Sequence, residues 1–128
     1  MPAFDDYRRQ RTMLLTTRKR DGTTVGTPVN IALGPDGRAY FRTWSTTGKV
    51  KRIRNFPQVQ VAPCTARGKA TGPGQQATAR QLTGPEAAVA ARALAAKYPV
   101  LQGFLVPAFH RLTSKTTLHY ELLPPDAA

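Results

Sequence analysis

Hydrophobic and polar residues alternate through most of the chain, a pattern that is typical of β-strands with one buried face. The first two runs of this kind are M-L-L-T-T-R at 13–18 and V-G-T-P-V-N-I-A-L at 25–33. Asp21 and Gly22 lie between them and predict a hairpin, because glycine tolerates positive φ. Pro28 has no amide hydrogen to donate, so we expect it at an edge or bulged position.

A second hairpin is predicted directly afterwards, with its turn at 34–37 and an outgoing strand, R-A-Y-F-R-T-W, at 38–44. Three further strands are expected at 58–65, 76–82 and 116–123. In the outgoing strand, alternation places Phe41 and Thr43 on one face. The opposite face then carries Tyr40, Arg42 and Trp44.

The last strand has the clearest alternation in the chain. Leu118, Tyr120 and Leu122 are expected to face the core. The outward face then carries Thr117, His119 and Glu121.

Helices are predicted at three places. Residues 4–10 are expected to form a short entry helix, and a basic helix should end before Pro57. Pro85 suits the first turn of an alanine-rich helix that reaches about Lys97. Alanine favours helix but has little bulk, so most of the packing is expected from Val89, Leu94 and Tyr98. The apolar, irregular segment 100–114 is expected to form a covering loop or a broken helix.

Strands that follow one another through hairpins, with helices inserted between them, predict a mainly β fold, an antiparallel barrel with short flanking helices. The chain has 128 residues, enough for one domain over 1–128, with residues 1–10 as an N-terminal helix or arm. That length is small for an enzyme that encloses a cofactor alone. We therefore expect a site shared between subunits.

The charge of the chain points to an anionic partner, since nineteen Lys and Arg residues face seven Asp and Glu residues, a net charge of +12. The cations are dispersed, and no zinc finger, basic zipper or RNP signature accompanies them, so nucleic acid is an unfavoured partner. A generally solvated basic surface is the alternative. No apolar run could cross a bilayer and no secretory signal is recognised, so we expect a cytoplasmic protein.

The segment 42–57, R-T-W-S-T-T-G-K-V-K-R-I-R-N-F-P, combines these features in one place. Hydroxyls at 45–47 can cap the basic helix, and the free amides of its first turn can receive a phosphate. Val50 and Ile53 can anchor one face to a core while the charged positions stay outside. Positive charge beside the amides comes from Lys49, Lys51, Arg52 and Arg54. A solvated helix face without a ligand is the other reading.

Other groups that could carry chemistry have weaker patterns. Cys64 ends an apolar strand and is expected to be an inert buried thiol. His110 and His119 lack the spacing of a metal pair, so each is expected to be an ordinary surface or interface residue, with haem ligation as the alternative. The carboxylates are scattered, mostly at turns and ends. No catalytic or metal-ligating residue is therefore assigned from the sequence.

Three stretches together resemble a known superfamily: T-T-R-K-R-D-G-T-T-V-G-T-P-V at 16–29, Y-F-R-T-W-S-T-T-G-K-V-K-R-I-R-N-F-P at 40–57 and V-A-P-C-T-A-R-G-K-A-T-G-P at 61–73. In this order and spacing they are similar to the pyridoxamine-phosphate-oxidase-like split β-barrels, specifically the deazaflavin (F420)-dependent branch. The resemblance runs from about residue 11 to residue 123. It implies a six-stranded antiparallel split β-barrel that forms a homodimer, with two cofactor sites at the subunit interface.

The resemblance also implies a function, hydride transfer between F420 and an unidentified small-molecule substrate. Flavin mononucleotide is the alternative cofactor, and related proteins bind haem or bilin-type ligands without catalysis. The phosphate would lie at the strand end and helix start, and the ring along the second strand. The loop around Arg67 and Lys69 could contact the acidic tail of F420. The implied cofactor residues are Thr27, Pro28, Val29, Asn30, Arg42, Thr43, Thr47, Gly48, Lys49, Val50, Lys51 and Arg67.

Overall fold

The computed structural model describes Phe4, Tyr7, Arg8 and residues 10–34, 36–44, 48–98 and 117–124. Six strands and two helices lie within these ranges. In chain order they are β1 (Thr12–Arg18), β2 (Thr24–Leu33), β3 (Ala39–Trp44), α1 (Gly48–Asn55), β4 (Gln58–Pro63), β5 (Gln75–Leu82), α2 (Gly84–Lys97) and β6 (Thr117–Leu123). Each predicted strand is present, with boundaries that differ by at most two residues.

The six strands form a closed barrel in the order β1-β2-β3-β6-β5-β4, and every pairing is antiparallel. Consecutive strands pair through the two predicted hairpins, and β6 returns between β3 and β5. The predicted fold class, a six-stranded antiparallel barrel with flanking helices, is confirmed. No helix in the described part of the chain is long and apolar enough to cross a membrane.

The core fills the barrel with the inward residues of every strand. Phe41 and Tyr120 stack there with ring centroids 5.1 Å apart. They are directly opposed across β3 and β6. Leu122 is buried and Leu118 packs partly buried against the same cluster, which confirms the predicted inner face of β6.

Pro28 lies where the sequence places it, on a strand edge. Thr24–Asn30 of β2 pair with β1, whereas the residues of β2 that pair with β3 are Ile31–Leu33. Among the described strands, the first seven residues of β2 therefore have a partner on one side only. A proline tolerates this position because its missing amide hydrogen removes no ladder bond there.

The packing face of α2 agrees with the prediction at Leu94 and differs from it at Val89. Val89 is 40% exposed, whereas Ala90 and Leu94 are both fully buried. Tyr40 and Leu82 of the barrel pack against Ala90. A methyl side chain allows the helix to approach the sheet closely, so small residues form the contact and the bulkier valine faces away. Tyr40 is thus a packing residue.

The end of α2 is fastened to the barrel by polar contacts. Lys97 Nζ donates to the carbonyl oxygens of Ile31 at 2.7 Å and Tyr7 at 3.1 Å. The Tyr98 hydroxyl lies 2.7 Å from the Ile31 carbonyl oxygen. Burial raises the pKa of Tyr98 to about 12 and lowers the pKa of Lys97 to about 8. Tyr98, which the sequence predicts as a packing residue, thus holds the end of the helix through its hydroxyl.

Glu121 is on the outer face of β6, as predicted, but it is 4% exposed rather than solvated. Its Oε1 accepts a hydrogen bond from Arg80 at 2.6 Å, and Arg80 also donates to Glu86 of α2 at 2.8 Å. Arg38 lies 3.7 Å from the second oxygen of Glu121. The carboxylate is buried because α2 covers this part of the barrel, and two arginines compensate its charge.

Some predictions concern residues outside the described ranges. These are the caps at 45–47, the segment 100–114 with His110, and part of the entry helix at 4–10. Within the last of these, the Tyr7 amide donates to the Phe4 carbonyl oxygen at 2.9 Å, and both rings are buried in the core.

Candidate functional site

The pairing of β2 with β3 ends partway along the two strands and leaves a gap between them. The last paired residues before this gap are Ile31 and Phe41. Beyond them, β2 continues with β1 alone, and β3 continues with β6 alone. The predicted ring-binding residues, 27–30, therefore follow one side of the gap, and Arg42 and Thr43 follow the other.

The β2 side of the gap presents both inner and outer groups. Val29 is opposite Met13 and is buried in the core, whereas Pro28 is exposed on the outer face. Thr27 is opposite Leu15, hence on the inner face, and its Oγ1 is buried with no hydrogen-bond partner in the structure. A buried hydroxyl without a partner costs free energy, so Thr27 is the residue on this strand that a bound polar group would satisfy.

Helix α1 closes the same end of the barrel. Its two buried side chains, Val50 and Ile53, are the predicted anchors. Lys49 Nζ lies 3.4 Å from Thr43 Oγ1, and Arg52 Nε donates to Thr17 Oγ1 at 2.6 Å. The hydroxyls of two inward threonines of the barrel thus accept hydrogen bonds from two cationic side chains of the helix.

The cations beside the gap are partly desolvated. Burial lowers the pKa of Arg42, and burial together with the neighbouring charge of Arg52 lowers the pKa of Lys49. Neither residue forms an ion pair with any carboxylate of the described ranges. A bound anion would compensate both charges, so these groups fit a phosphate.

The predicted site residues of α1 divide between two faces. Lys49 reaches Thr43, whereas Gly48 and Lys51 line a cleft of about 290 Å³ with the turn after β1. Val50 is 4% exposed, so its side chain anchors the helix. This division follows from the helical period, since positions 48, 51 and 52 lie on one face. Thr47 is outside the described residues.

Arg67 lies in an exposed turn between β4 and β5. The Gly68 amide donates to Thr65 O at 2.9 Å, and Gly68 has a φ of 90°. A Cβ on Gly68 would lie 3.5 Å from Pro28 Cδ, an ordinary contact distance, so the turn lies against β2 and the positive φ is what favours glycine there. The structure therefore brings the turn that carries Arg67 beside the predicted ring-binding strand.

His119, which the sequence predicts to be an ordinary surface or interface residue, lies beside the predicted site. It is directly opposite Arg42 on the outer face of β6, and its Nε2 is buried without a hydrogen-bond partner. Burial, with a smaller effect of the Arg42 charge, lowers the pKa of His119 and favours the neutral imidazole. Alternation alone gives its face, but the pairing with Arg42 requires the β3-β6 neighbour relation.

Two other features lie outside the predicted site. Cys64 is 3% exposed, and burial raises the pKa of its thiol, which agrees with the inert thiol expected there. The cavity of about 390 Å³ along β1, β4 and β5 contains none of the predicted residues. It is lined mainly by neutral polar side chains, among them Gln58, Gln60 and Gln76.

Comparison with solved structures finds this fold in several proteins. The haem storage protein HutZ of Vibrio cholerae matches with a TM-score of 0.66 and 14% identity, over 98% of this chain and 89% of its own. A candidate pyridoxamine 5'-phosphate oxidase of Listeria innocua matches with a TM-score of 0.56 and 12% identity, over 92% of this chain and 86% of its own.

A protein of unknown function from Agrobacterium tumefaciens matches with a TM-score of 0.64 and 22% identity, over 88% of this chain. The chain spans about half of that protein, 48% of its length. No protein-family model matches the sequence, and no relative is found among the curated proteins. At these identities the comparisons show the fold alone, a six-stranded split β-barrel that this chain shares with these proteins.

Proposed function

We propose that the protein is an F420-dependent oxidoreductase that acts on a small molecule. The observation that carries this proposal is the pair of partly desolvated cations, Arg42 and Lys49, beside the gap between β2 and β3. They lie at the positions where the sequence resemblance expects a cofactor phosphate. A multiply charged deazaflavin also suits the excess of basic residues in the chain.

In this proposal Lys49 and Thr43 hold the phosphate from the inner face of β3, Arg42 adds positive charge from the outer face, and residues 27–30 face the ring. Lys49 Nζ is already oriented by Thr43 Oγ1 at 3.4 Å. The unpartnered Thr27 hydroxyl supplies a polar group for the edge of the ring. When bound, F420 supplies hydride-transfer chemistry. The residues of the chain hold its phosphate, orient its ring and exclude water.

The binding of F420 can be measured through its own fluorescence. Titration with purified protein should quench or shift this fluorescence, and Lys49→Ala should weaken binding by about 1.5–3 kcal/mol, since the lost contact is a charge-assisted hydrogen bond. Arg42→Ala should have a similar effect. The matched control is Arg92→Ala, which removes a positive charge from the exposed side of α2 and should change little. A flat fluorescence response at high protein concentration would rule out F420.

Flavin mononucleotide is the alternative cofactor in the same site. It carries a phosphate that Arg42 and Lys49 could hold, but less negative charge overall than F420. Parallel titrations of both cofactors separate the two proposals. Tighter binding of flavin mononucleotide, or purification of the protein with that flavin bound, would replace F420 while leaving the residue assignments unchanged.

Haem binding without catalysis is a second candidate, favoured by one specific observation. The Nε2 atom of His119 is buried without a partner, and the lowered pKa of His119 favours the neutral form that ligates metals. The name of HutZ records haem storage on this fold. Haemin titration, followed by the Soret band, should then depend on His119→Ala. His110→Ala is the matched control, because the chain has two histidines.

We also propose that two copies of the chain complete the cofactor site. The single-sided edge of β2, with Pro28 exposed beside the turn of Arg67, leaves the ring-binding strand open to a second subunit. Light scattering should give the mass of a dimer at micromolar concentration. A monomer that still binds F420 with full affinity would contradict a shared site.

A further inference from the structure

The cleft between α1 and the turn after β1 is distinct from the gap between β2 and β3. Its volume is about 290 Å³, close to the lower size of small-molecule sites in proteins. One wall is formed by Arg18, Lys19 and Arg20, and the other by Gly48, Lys51 and Arg52. We refer to it below as the basic cleft.

Five cationic side chains line the basic cleft, and no carboxylate is among its described lining residues. Asp21 is the acidic residue closest in sequence to this turn. Its Oδ1 accepts hydrogen bonds from the Thr23 amide at 3.0 Å and the Thr23 hydroxyl at 2.7 Å. Asp21 is thus bonded within its own turn, where its charge also attracts Lys19. The other four cations of the cleft have no carboxylate among its described lining residues.

Two of the guanidinium groups are held in place. Arg52 Nε donates to Thr17 Oγ1 at 2.6 Å, and Thr17 is 1% exposed. The Arg18 guanidinium lies 5.3 Å from the centroid of the Phe56 ring. These contacts hold the two guanidinium groups in place before a ligand binds. Little conformational entropy is then lost on binding, which favours an anion at this position.

Gly48 contributes space for one of these groups. A Cβ at position 48 would lie 2.7 Å from Nη1 of Arg52, well inside the normal contact distance. The absence of a side chain therefore lets the Arg52 guanidinium lie against the start of α1. Alanine would displace this group without changing any charge.

We propose that the basic cleft binds a small multivalent anion with at least two adjacent phosphate or carboxylate groups. A single phosphate can engage two or three cations, whereas five cations around one cleft match a ligand with several anionic groups. The arginine forks favour bidentate contacts with either kind of oxyanion. This inference stands on the cleft alone and does not depend on which cofactor the gap between β2 and β3 binds.

Calorimetric titration of the full chain with inorganic phosphate, pyrophosphate and tripolyphosphate at about 0.15 M salt tests the proposal. Tripolyphosphate should bind at least about tenfold more tightly than phosphate, because more of its oxygens reach cations. A parallel titration with citrate tests carboxylate groups and so distinguishes them from phosphate groups. Absence of binding by tripolyphosphate and citrate at this salt concentration would overturn the proposal.

Three variants separate a built site from diffuse attraction. Lys51→Gln should weaken tripolyphosphate binding about fivefold or more, because it removes a cation of the cleft. Arg92→Gln makes the same change in net charge on the exposed side of α2 and should have less than a twofold effect. Gly48→Ala should weaken binding several-fold at constant charge. Equal effects of Lys51→Gln and Arg92→Gln would contradict a specific cleft.

Two further controls give every outcome a meaning. Arg42→Ala, which alters the proposed cofactor site, should leave tripolyphosphate binding within about twofold, since Arg42 does not line the basic cleft. Failure of F420 binding and failure of this proposal are thus distinguishable. If a short single-stranded oligonucleotide competes more strongly than tripolyphosphate and also depends on Lys51, the cleft is part of a nucleic-acid interface and the small-anion proposal is wrong.

Discussion

Positive charge is compensated differently on the two sides of the barrel that the helices cover. On the α2 side, Arg80 contacts two carboxylates, Glu86 at 2.8 Å and Glu121 at 2.6 Å. On the α1 side, Lys49 and Arg52 contact threonine hydroxyls, and neither forms an ion pair with a described carboxylate. The same kind of side chain is therefore compensated at one place and uncompensated at the other.

This difference distinguishes cations that stabilise the fold from cations that are available to bind an anion. A cation that is paired with a carboxylate stabilises the fold, and its neighbours leave little net charge for a ligand. Cations that face only hydroxyls and one another reduce stability unless an anion is bound, and proteins tolerate such arrangements mainly at functional sites. We therefore expect changes on the α2 side to alter stability and changes on the α1 side to alter binding.

The largest expected effect on stability is that of Glu121→Ala. Glu121 is 4% exposed and bonded to Arg80, so its loss removes a charged hydrogen bond and leaves two arginines without their shared carboxylate. Because Arg80 is partly solvated, we expect a loss of about 2–3 kcal/mol in the free energy of unfolding, below the full penalty for a buried pair. Urea denaturation measures it.

Glu86→Ala is the matched control for that change. It removes the other carboxylate of Arg80, but this one is 54% exposed in its side chain. Exposed pairs contribute about 1 kcal/mol or less, so the loss should be clearly smaller than that of Glu121→Ala. Equal losses for the two variants would mean that the buried carboxylate has no special role.

On the α1 side, a charge reversal should stabilise the protein. Lys51→Glu places a carboxylate among the cations of the basic cleft, so we expect the free energy of unfolding to rise by about 0.2–1 kcal/mol at low salt. The same variant should lose tripolyphosphate binding. Destabilisation in urea, at low salt, would contradict the view that these charges repel one another.

The sequence predicted the α1 side better than the α2 side for a physical reason. The basic helix lies within 42–57 as one continuous segment, and its anchors Val50 and Ile53 follow from the local helical period. Glu121, in contrast, is buried by Arg80 and α2, which are 24 or more residues distant in sequence. Alternation correctly places Glu121 on the outer face, but the burial of that face depends on tertiary packing.

The same limit applies to Val89 and to the division of the predicted site. Bulk favours Val89 as a packing residue, yet close approach of α2 to the barrel selects Ala90. Lys49 and Lys51 are neighbours in a basic sequence, and the helical period points them in different directions. Composition gives the charge of such a segment. The packing of α1 on the strands determines whether a given cation faces Thr43 or the basic cleft.

A smaller effect is expected in acid, and it belongs to the α2 side. The hydrogen bond and charge of Arg80 lower the pKa of Glu86 below its ordinary value of 4.5. A carboxyl group with a lowered folded-state pKa stabilises the fold above its ordinary pKa, and this contribution is lost as pH falls through the lowered value. Glu86→Gln should therefore flatten the decline of stability below about pH 4.5, measured by urea denaturation at several pH values. An unchanged decline would show that the Arg80 pair carries no pH dependence.

The smallest effect, in alkali, belongs to the α1 side, where folding disfavours the charged form of Lys49 instead of favouring it. Burial and Arg52 lower the pKa of Lys49 below 10.5, so the unfolded chain binds more protons between the lowered value and 10.5. Stability should rise with pH in that window, and Lys49→Met should remove this part of the rise. Measurements should stop below pH 10, before tyrosines ionise in the unfolded chain. Because a bound phosphate would return the pKa of Lys49 toward its ordinary value, F420 should diminish the difference between wild type and Lys49→Met; a difference that F420 leaves unchanged would place its phosphate away from Lys49.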